Sequence, residues 1–164
     1  MNCEVMRFSY LKSASLIACM TLCACSKERR VVGGTSMEPS FKDGEVISVS
    51  TKAYSGATPQ RWDVVVFKNS KNEELVFRIV GLPGEAVDLT TAGLHIDGKP
   101  FSLDVGSLKI NYEPLPKKPI LSQVSYPLTL SENCYFVLGD NTKNSFDSRF
   151  FGEIPRKQII GKVQ

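Results

Sequence analysis

The chain has 164 residues, with 42% hydrophobic and 23% charged residues, which is the length and composition of one globular domain. Its formal net charge is only +3, and its Lys and Arg residues are scattered rather than clustered. Because nucleic-acid binding needs a basic stripe that follows the phosphates, we expect no nucleic-acid partner. We also expect no cofactor and no metal site.

The first 30 residues have the pattern of an export signal. A short basic region that ends at Lys12 precedes the apolar stretch 14–24, which is too short to span a bilayer, since that needs roughly 20 residues. The stretch ends in Leu22-Cys23-Ala24-Cys25, which resembles a bacterial lipobox. This resemblance implies a lipid on Cys25 and removal of residues 1–24, a lipoprotein-type signal peptide. The alternative is a signal anchor.

Under both interpretations, residues 25–30 are predicted to be a tether, and the remainder of the chain lies outside the cytoplasm, attached to a membrane. The domain itself is predicted to cover residues 31–164. Its location would be the periplasmic or cell-surface face.

From residue 31 onward, short β-branched or alternating runs are separated by turns rich in Gly, Pro and Asn. No segment keeps a helical period of 3.6 residues, so the sequence predicts a mainly β, antiparallel fold. Asp97-Gly98 predicts a tight hairpin. The predicted strands are Val46–Val49, Trp62–Phe67, Leu75–Val80, Leu94–Ile96 and Cys134–Leu138.

Residues 103–131 are predicted to be a peripheral Pro-rich excursion or lid. Four prolines in this range argue against a central strand or a helix: Pro114, Pro116, Pro119 and Pro127.

The segment most suggestive of chemistry is Ser36-Met37-Glu38-Pro39-Ser40, which follows the glycine-rich approach Val32-Gly33-Gly34. It offers a serine hydroxyl beside an apolar residue and a turn-fixing proline, where backbone could come close to a substrate. Ser36 is therefore the candidate nucleophile.

Several segments in order are similar to the motifs of bacterial signal peptidase I, a membrane-bound serine endopeptidase that removes signal peptides. The resemblance covers residues 31–161. It implies antiparallel sheets coiled into a signal-peptidase-like fold, which is shared with LexA-type self-cleaving domains. The motifs that carry it are Ser36–Ser40, Arg61–Phe67, Arg78–Glu85, Leu94–Pro100 and Gly139–Arg149, followed by Gly152 and Pro155.

The family's site is a Ser–Lys dyad, in which a neutral lysine removes the serine proton. The resemblance places that lysine directly before the arginine of the third motif, here Arg78, but this chain has Phe77 there. A phenyl ring accepts no proton, and an arginine does not lose its own. The other basic side chains considered are Lys68, Lys71, Lys143 and the single histidine, His95, none of which the motifs place at the dyad.

The resemblance also implies supporting roles around Ser36. Ser145 corresponds to the hydroxyl that orients the lysine, and Asp147 to the carboxylate that pairs with arginines, here Arg149 and Arg78. An ion network of this kind would also hold the last loop in place without any catalysis. Substrate contacts are expected from Val32, Gly33, Gly34, Met37 and Pro39.

Three hypotheses follow for the function. The first is a signal-peptidase-like endopeptidase that uses Ser36 with an unconventional base. The second is an inactive homologue that binds extended exported peptides, as an assembly or chaperone-like factor for exported or pilus subunits. The third is a lipoprotein that uses the fold as a scaffold. In the first two, the partners are exported preproteins or extended peptides.

Overall fold

The fold is described from a computed structural model, in which residues 27–105, 108–114 and 124–164 are described. The predicted signal segment 1–24 and Cys25 lie outside these residues. The protein is mainly β, as predicted, with a seven-stranded, a four-stranded and a two-stranded sheet, all with antiparallel pairing.

The described strands are β1 (Lys27–Val31), β2 (Val46–Ser50), β3 (Val64–Lys68), β4 (Glu74–Gly81), β5 (Ala86–Thr90), β6 (Gly93–Ile96), β7 (Lys99–Phe101), β8 (Leu103–Val105), β9 (Leu108–Ile110), β10 (Leu128–Thr129), β11 (Cys134–Leu138), β12 (Ile154–Pro155) and β13 (Ile159–Val163). One short helix, α1 (Ser148–Phe151), and a 3₁₀ turn, Arg156–Gln158, complete the described elements.

The large sheet has the strand order β1-β2-β13-β3-β4-β11-β12, and the four-stranded sheet has the order β10-β5-β6-β7. The strands that the sequence predicted from β-branched runs are confirmed as β2, β3, β4, β6 and β11. The hairpin at Asp97-Gly98 is also confirmed, and both residues have positive φ angles, 50° and 75°, as a tight hairpin turn requires.

The start of the domain differs from the sequence prediction. Residues 27–30, which were expected to belong to a tether, form most of β1 and pair with β2. Their charged side chains stay at the surface, and Arg30 bridges to Glu28 and, across the sheet, to Glu74 at 2.8 Å. A polar run can form this strand because β1 lies at the sheet edge, where side chains keep their water.

The ends of the Pro-rich excursion are also less peripheral than predicted. Its first part forms the hairpin β8–β9, and β10 pairs with β5 at the edge of the second sheet. Leu103, Ile110 and Leu130 are buried in the core of that sheet. Pro116 and Pro119 lie outside the described residues.

Two hydrophobic cores lie on the two faces of the β4–β11 pair. Residues that alternate along β4 and β11 divide between them, because successive side chains of a strand point to opposite faces. Phe77, Ile79 and Val137 belong to the first core, and Val80 and Leu138 belong to the second. This division determines which side chains can meet at the end of β11.

Candidate active site

The turn that carries Ser36 is held by backbone and side-chain hydrogen bonds from the last motif. The Asn141 N–H donates to the Ser36 carbonyl at 3.0 Å, and the Asn141 side-chain amide donates to the Thr35 carbonyl at 3.1 Å. Asn144 adds a hydrogen bond to the Thr35 hydroxyl at 3.0 Å. Ser36 itself is half-buried.

Gly139 brings Ser36 and Ser145 together. A Cβ at Gly139 would stand 2.2 Å from Ser145 Oγ and 2.5 Å from the Ser36 carbonyl oxygen. Any side chain at this position would therefore displace both groups. Gly139 is the residue that lets the Ser36 turn and the Ser145 side chain approach the end of β11.

The register of β4 against β11 places Phe77 beside Gly139, at the end of β11. Ile79 pairs with Val137 and Arg78 with Leu138, so the same register continued by one residue sets Phe77 opposite Gly139. Directly opposite residues in an antiparallel pair share a face of the sheet. Phe77, Ser145 Oγ and the Ser36 carbonyl therefore lie together on the face of the first core.

Phe77 is firmly packed there. Its side chain is 4% exposed, in the same core cluster as Val32 and Met37, and its ring centroid lies 6.0 Å from that of Phe67 and 6.4 Å from that of Phe151. The aromatic packing reaches the surface at Phe146, whose ring lies 6.0 Å from that of Phe151. The region beside the Ser36 turn is apolar.

Ser145 has an unusual environment for a buried hydroxyl. Its residue is 9% exposed, and its Oγ has no hydrogen-bond partner among the described groups. Buried polar atoms are normally satisfied, and leaving one without a partner costs about 1–3 kcal/mol. The position of the Ser145 hydroxyl beside Gly139 therefore lowers the stability of the fold, and no hydrogen bond among the described groups compensates for this.

The single ion network expected around Asp147 is instead two separate ion pairs. Asp147 is fully buried and pairs with Arg149 at 2.8 Å, while it also accepts the Gly139 N–H at 3.0 Å. The sequence suggested that Arg78 pairs with Asp147. In the structure Arg78 pairs with Asp140 instead, at 2.6 and 2.9 Å. The reason is strand alternation: Arg78 and Asp140 point to the face opposite Phe77 and Gly139.

Each ion pair also holds backbone in place. Arg149 donates to the Thr142 carbonyl at 2.6 Å and to the Glu113 carbonyl at 3.1 Å. Burial lowers the pKa of Arg78, but the hydrogen bonds and charge of Asp140 outweigh it, so the net shift of that pKa is upward. Arg78 therefore stays charged and cannot act as a base.

The other basic side chains named above are not buried beside Phe77. Val65 is the residue opposite Phe77 in β3, and Lys68, three residues further, points to the other face and pairs in register with Glu74. Lys71 and Lys143 are exposed. His95 lies in β6 of the second sheet, opposite Asp88 and Pro100.

The residues expected to contact a substrate fall into two groups. Val32 and Met37 are buried in the first core, and the Val32 backbone already bonds to Gly44 and Glu45. The N–H of Gly34 donates to Asp43 at 2.7 Å. The exposed residues of the set are Gly33, Gly34 and Pro39.

Residues 6–164 match the family model described as "Signal peptidase, peptidase S26". The chain belongs to this family. Among its relatives are signal peptidase I of Bacillus caldolyticus, 34% identical over 142 residues, and signal peptidase I V of Bacillus subtilis, 34% identical over 136 residues. The first alignment covers 81% of this chain and 75% of the relative, and the second covers 80% of each.

A crystal structure of a signal peptidase I from Enterococcus faecalis is similar at 28% identity with a TM-score of 0.47, over 65% of this chain and 97% of that one. In the part of this protein that the structure describes, no helix has the length and apolar character needed to cross a membrane. Nor do the described residues contain three or more His, Cys, Asp or Glu side chains grouped to hold a metal ion.

Sequence reasoning missed part of the candidate site. Asp140 and Asn141 lie inside the motif Gly139–Arg149, and the motif itself was the signal that could have assigned them a role. Ser40 donates to Asp140, and the Tyr112 hydroxyl donates to the same carboxylate at 3.0 Å. No sequence pattern marks Tyr112, because its contact is with a residue 28 positions away.

Proposed function

We propose that this member of the signal peptidase family binds extended exported peptides but cleaves them very slowly, because Phe77 stands where the general base of the dyad would be. The observation that carries this proposal is the shared position of Phe77, Ser36 and Ser145. Phe77 lies on the sheet face that Gly139 shares with the Ser36 carbonyl and the Ser145 hydroxyl, and that hydroxyl has no hydrogen-bond partner among the described groups.

The chemistry of the Ser36 hydroxyl supports slow cleavage. A serine is a weak nucleophile unless a neighbouring base takes its proton. A positioned base typically contributes 10²–10⁴-fold to the rate. Phe77 has no atom that accepts a proton, and strand alternation turns Lys68 to the opposite face.

Peptide binding does not require a base. An extended peptide can add a strand to an open sheet edge, with affinity from main-chain hydrogen bonds. β1 is the edge strand of the seven-stranded sheet and leads directly to Gly33 and the Ser36 turn. The exposed Val31 and Val46, which pair across β1 and β2, add apolar contact area beside this edge.

The proposed location follows from the N-terminal pattern. We propose that Cys25 carries a lipid and holds the domain on the extracytoplasmic face of a membrane. The domain then meets polypeptides as they leave the export machinery. A role in the assembly of exported subunits is consistent with this place and with a sheet edge that holds peptides without cutting them.

A second candidate function is signal-peptide cleavage by Ser36 at the rate of an ordinary signal peptidase, with an unconventional base. The identity of 34% to several signal peptidases favours it. A synthetic preprotein incubated with the wild-type protein and with Ser36→Ala, followed by mass spectrometry, separates the two. Site-specific cleavage by the wild type alone, at the rate of an ordinary signal peptidase, would contradict the proposal.

The decisive variant is Phe77→Lys. We expect it to raise the cleavage rate by about 10²-fold or more, because the new amine enters an apolar pocket that favours its neutral form. Phe77→Met is the matched control, since it has a similar length but no basic atom. The double variant Phe77→Lys/Ser36→Ala should be inactive.

Binding is tested separately with the same peptide made resistant to cleavage. We expect the wild type and Ser36→Ala to bind it with equal affinity in a fluorescence titration, and an all-D version of the peptide to bind much more weakly. Equal binding of both enantiomers, or of neither, would favour the scaffold hypothesis.

A further inference from the structure

The segment that follows β9 contacts both ion pairs of the candidate site. The Glu113 carbonyl accepts a hydrogen bond from Arg149 at 3.1 Å, and the adjacent Tyr112 hydroxyl donates to Asp140 at 3.0 Å. The segment is also tightly packed, since a Cβ on Gly93 would stand 2.6 Å from the Asn111 side-chain oxygen. Residues 111–113 therefore have a well-defined position between the second sheet and the last motif.

Tyr112 is fully buried, and its ring is stacked on Trp62 with centroids 6.4 Å apart and planes 9° apart. The Trp62 carbonyl in turn accepts a hydrogen bond from Arg78 at 2.9 Å. Burial raises the pKa of Tyr112, and the negative charge of Asp140 raises it further. The hydroxyl therefore stays protonated and acts as a donor.

Asp140 collects donors from three parts of the chain. Arg78 on β4 supplies two hydrogen bonds, Tyr112 supplies one, and the hydroxyl of Ser40 supplies another. A carboxylate offers about four lone-pair sites, so these donors fill it and leave it one orientation. Arg78 contacts both oxygens, so the loss of the Tyr112 or Ser40 donor loosens the carboxylate and leaves one lone-pair site without a partner.

The orientation of Asp140 bears directly on the nucleophile turn. Ser40 is the last residue of the Ser36 motif, and its hydroxyl bonds to Asp140. The residue after Asp140 is Asn141, whose N–H holds the Ser36 carbonyl at 3.0 Å. Asp140 therefore contacts the turn at one end and positions its bonding partner at the other.

We propose that Tyr112 is a positioning residue of the candidate site: through Asp140 and Ser40, its hydroxyl fixes the turn that carries Ser36. This inference rests on the proposed function only in that the positioned turn lies next to the sheet edge proposed to bind peptides. The positioning itself can be measured without peptide and without cleavage.

The test is Tyr112→Phe, which keeps the ring stacked on Trp62 and removes only the hydroxyl. Amide hydrogen exchange by NMR should show about ten-fold lower protection for Glu38, Phe41 and Asn141, as expected for the loss of one hydrogen bond. Protection of the β6 amides should not change. A general loss of stability would lower it as well, so β6 distinguishes the two cases.

Tyr126→Phe is the matched control, because the Tyr126 hydroxyl is also buried but has no partner among the described groups. It should leave the Ser36 turn unaffected. Ser40→Ala should lower the same three protections as Tyr112→Phe, since it interrupts the same path.

Either of two results would overturn the inference: unchanged exchange at Glu38, Phe41 and Asn141 in Tyr112→Phe, or an equal fall throughout the molecule. Full protection of these amides in Ser40→Ala would overturn the path through Ser40. None of these results depends on whether Phe77→Lys is active, so failure here and failure of the proposed function are distinguishable.

Discussion

Phe77 and Ser145 are an unusual combination at the scale of single residues. An aromatic ring that fits its core well lies on the same sheet face as a buried hydroxyl that has no hydrogen-bond partner among the described groups. The ring satisfies packing, because it contacts Phe67 and Phe151, but it cannot accept or donate a hydrogen bond. The pair is what a Ser–Lys site would leave if the lysine alone were exchanged for an aromatic residue.

Ser145→Ala should therefore have opposite effects in two backgrounds. In the wild type, we expect the free energy of unfolding to stay the same or rise by about 1 kcal/mol, because a buried hydroxyl without a partner is removed. In Phe77→Lys, we expect the same change to lower kcat, because the hydroxyl then orients the new amine. Urea unfolding and cleavage assays measure the two effects.

Ser148→Ala is a matched control for this prediction. The Ser148 hydroxyl is also buried, but it accepts the Val137 N–H at 3.0 Å, so its removal should destabilise both backgrounds alike. A clear loss of stability for Ser145→Ala in the wild type would show that its hydroxyl has a partner and would remove the main support for a vacated dyad.

At the scale of elements, the end of β11 organises the site. Its register against β4, continued by one residue past Leu138, sets Gly139 opposite Phe77, and the alternation of the strand sends Asp140 to the other face. The Ser36 carbonyl and Ser145 then lie on one face of the sheet, and the Arg78–Asp140 pair lies on the other. The Ser36 turn is held from both faces of the sheet by the same few residues.

Gly139→Ala tests this arrangement. The new methyl group would stand 2.2 Å from Ser145 Oγ and 2.5 Å from the Ser36 carbonyl, and the second of these is backbone that cannot rotate away. We expect a loss of about 1–3 kcal/mol in the free energy of unfolding, as for overpacked cores, together with weaker peptide binding. Thermal unfolding and peptide titration provide the measurements.

The control for this variant is Gly56→Ala, because a Cβ there would meet nothing within 4 Å and its φ is not positive. It should change neither stability nor binding by a measurable amount. If Gly139→Ala behaved like Gly56→Ala, the close approach of Ser36 and Ser145 to the end of β11 would be refuted.

At the scale of the whole molecule, the domain begins earlier than its sequence suggested. β1 starts at Lys27, so only residues 25 and 26 separate the described domain from the predicted signal segment. A lipid on Cys25 would hold β1, the edge strand proposed to bind peptides, very close to the membrane surface. A peptide that leaves the bilayer would then meet this edge first.

Cys25→Ser tests the attachment. We expect it to abolish incorporation of a labelled fatty acid and to prevent removal of residues 1–24, because the lipobox cysteine is both the lipid acceptor and the cleavage point. Cys23→Ser is the matched control and should retain both the incorporation of the fatty acid and the removal of residues 1–24. A protein that retains residues 1–24 in both variants and the wild type, with no label, would identify the segment as a signal anchor.

The sequence alone was sufficient for the β class, for five strands and the Asp97-Gly98 hairpin, and for the family, because these depend on local alternation, turn residues and motif order. It also placed Phe77 next to Arg78 without any structure. Two local predictions were wrong: the charged run 27–30 forms a strand because it lies at an edge, and Leu103 and Ile110 of the excursion are in the core.

Only the tertiary structure decided which side chains meet. Local patterns do not encode a register, so the sequence could not tell that Arg78 pairs with Asp140 rather than Asp147, or that Gly139 stands opposite Phe77. Nor could it connect Tyr112 to Asp140, since that hydrogen bond joins residues 28 positions apart. Such contacts depend on how strands pair and on which face each side chain points to, and the fold sets both at once.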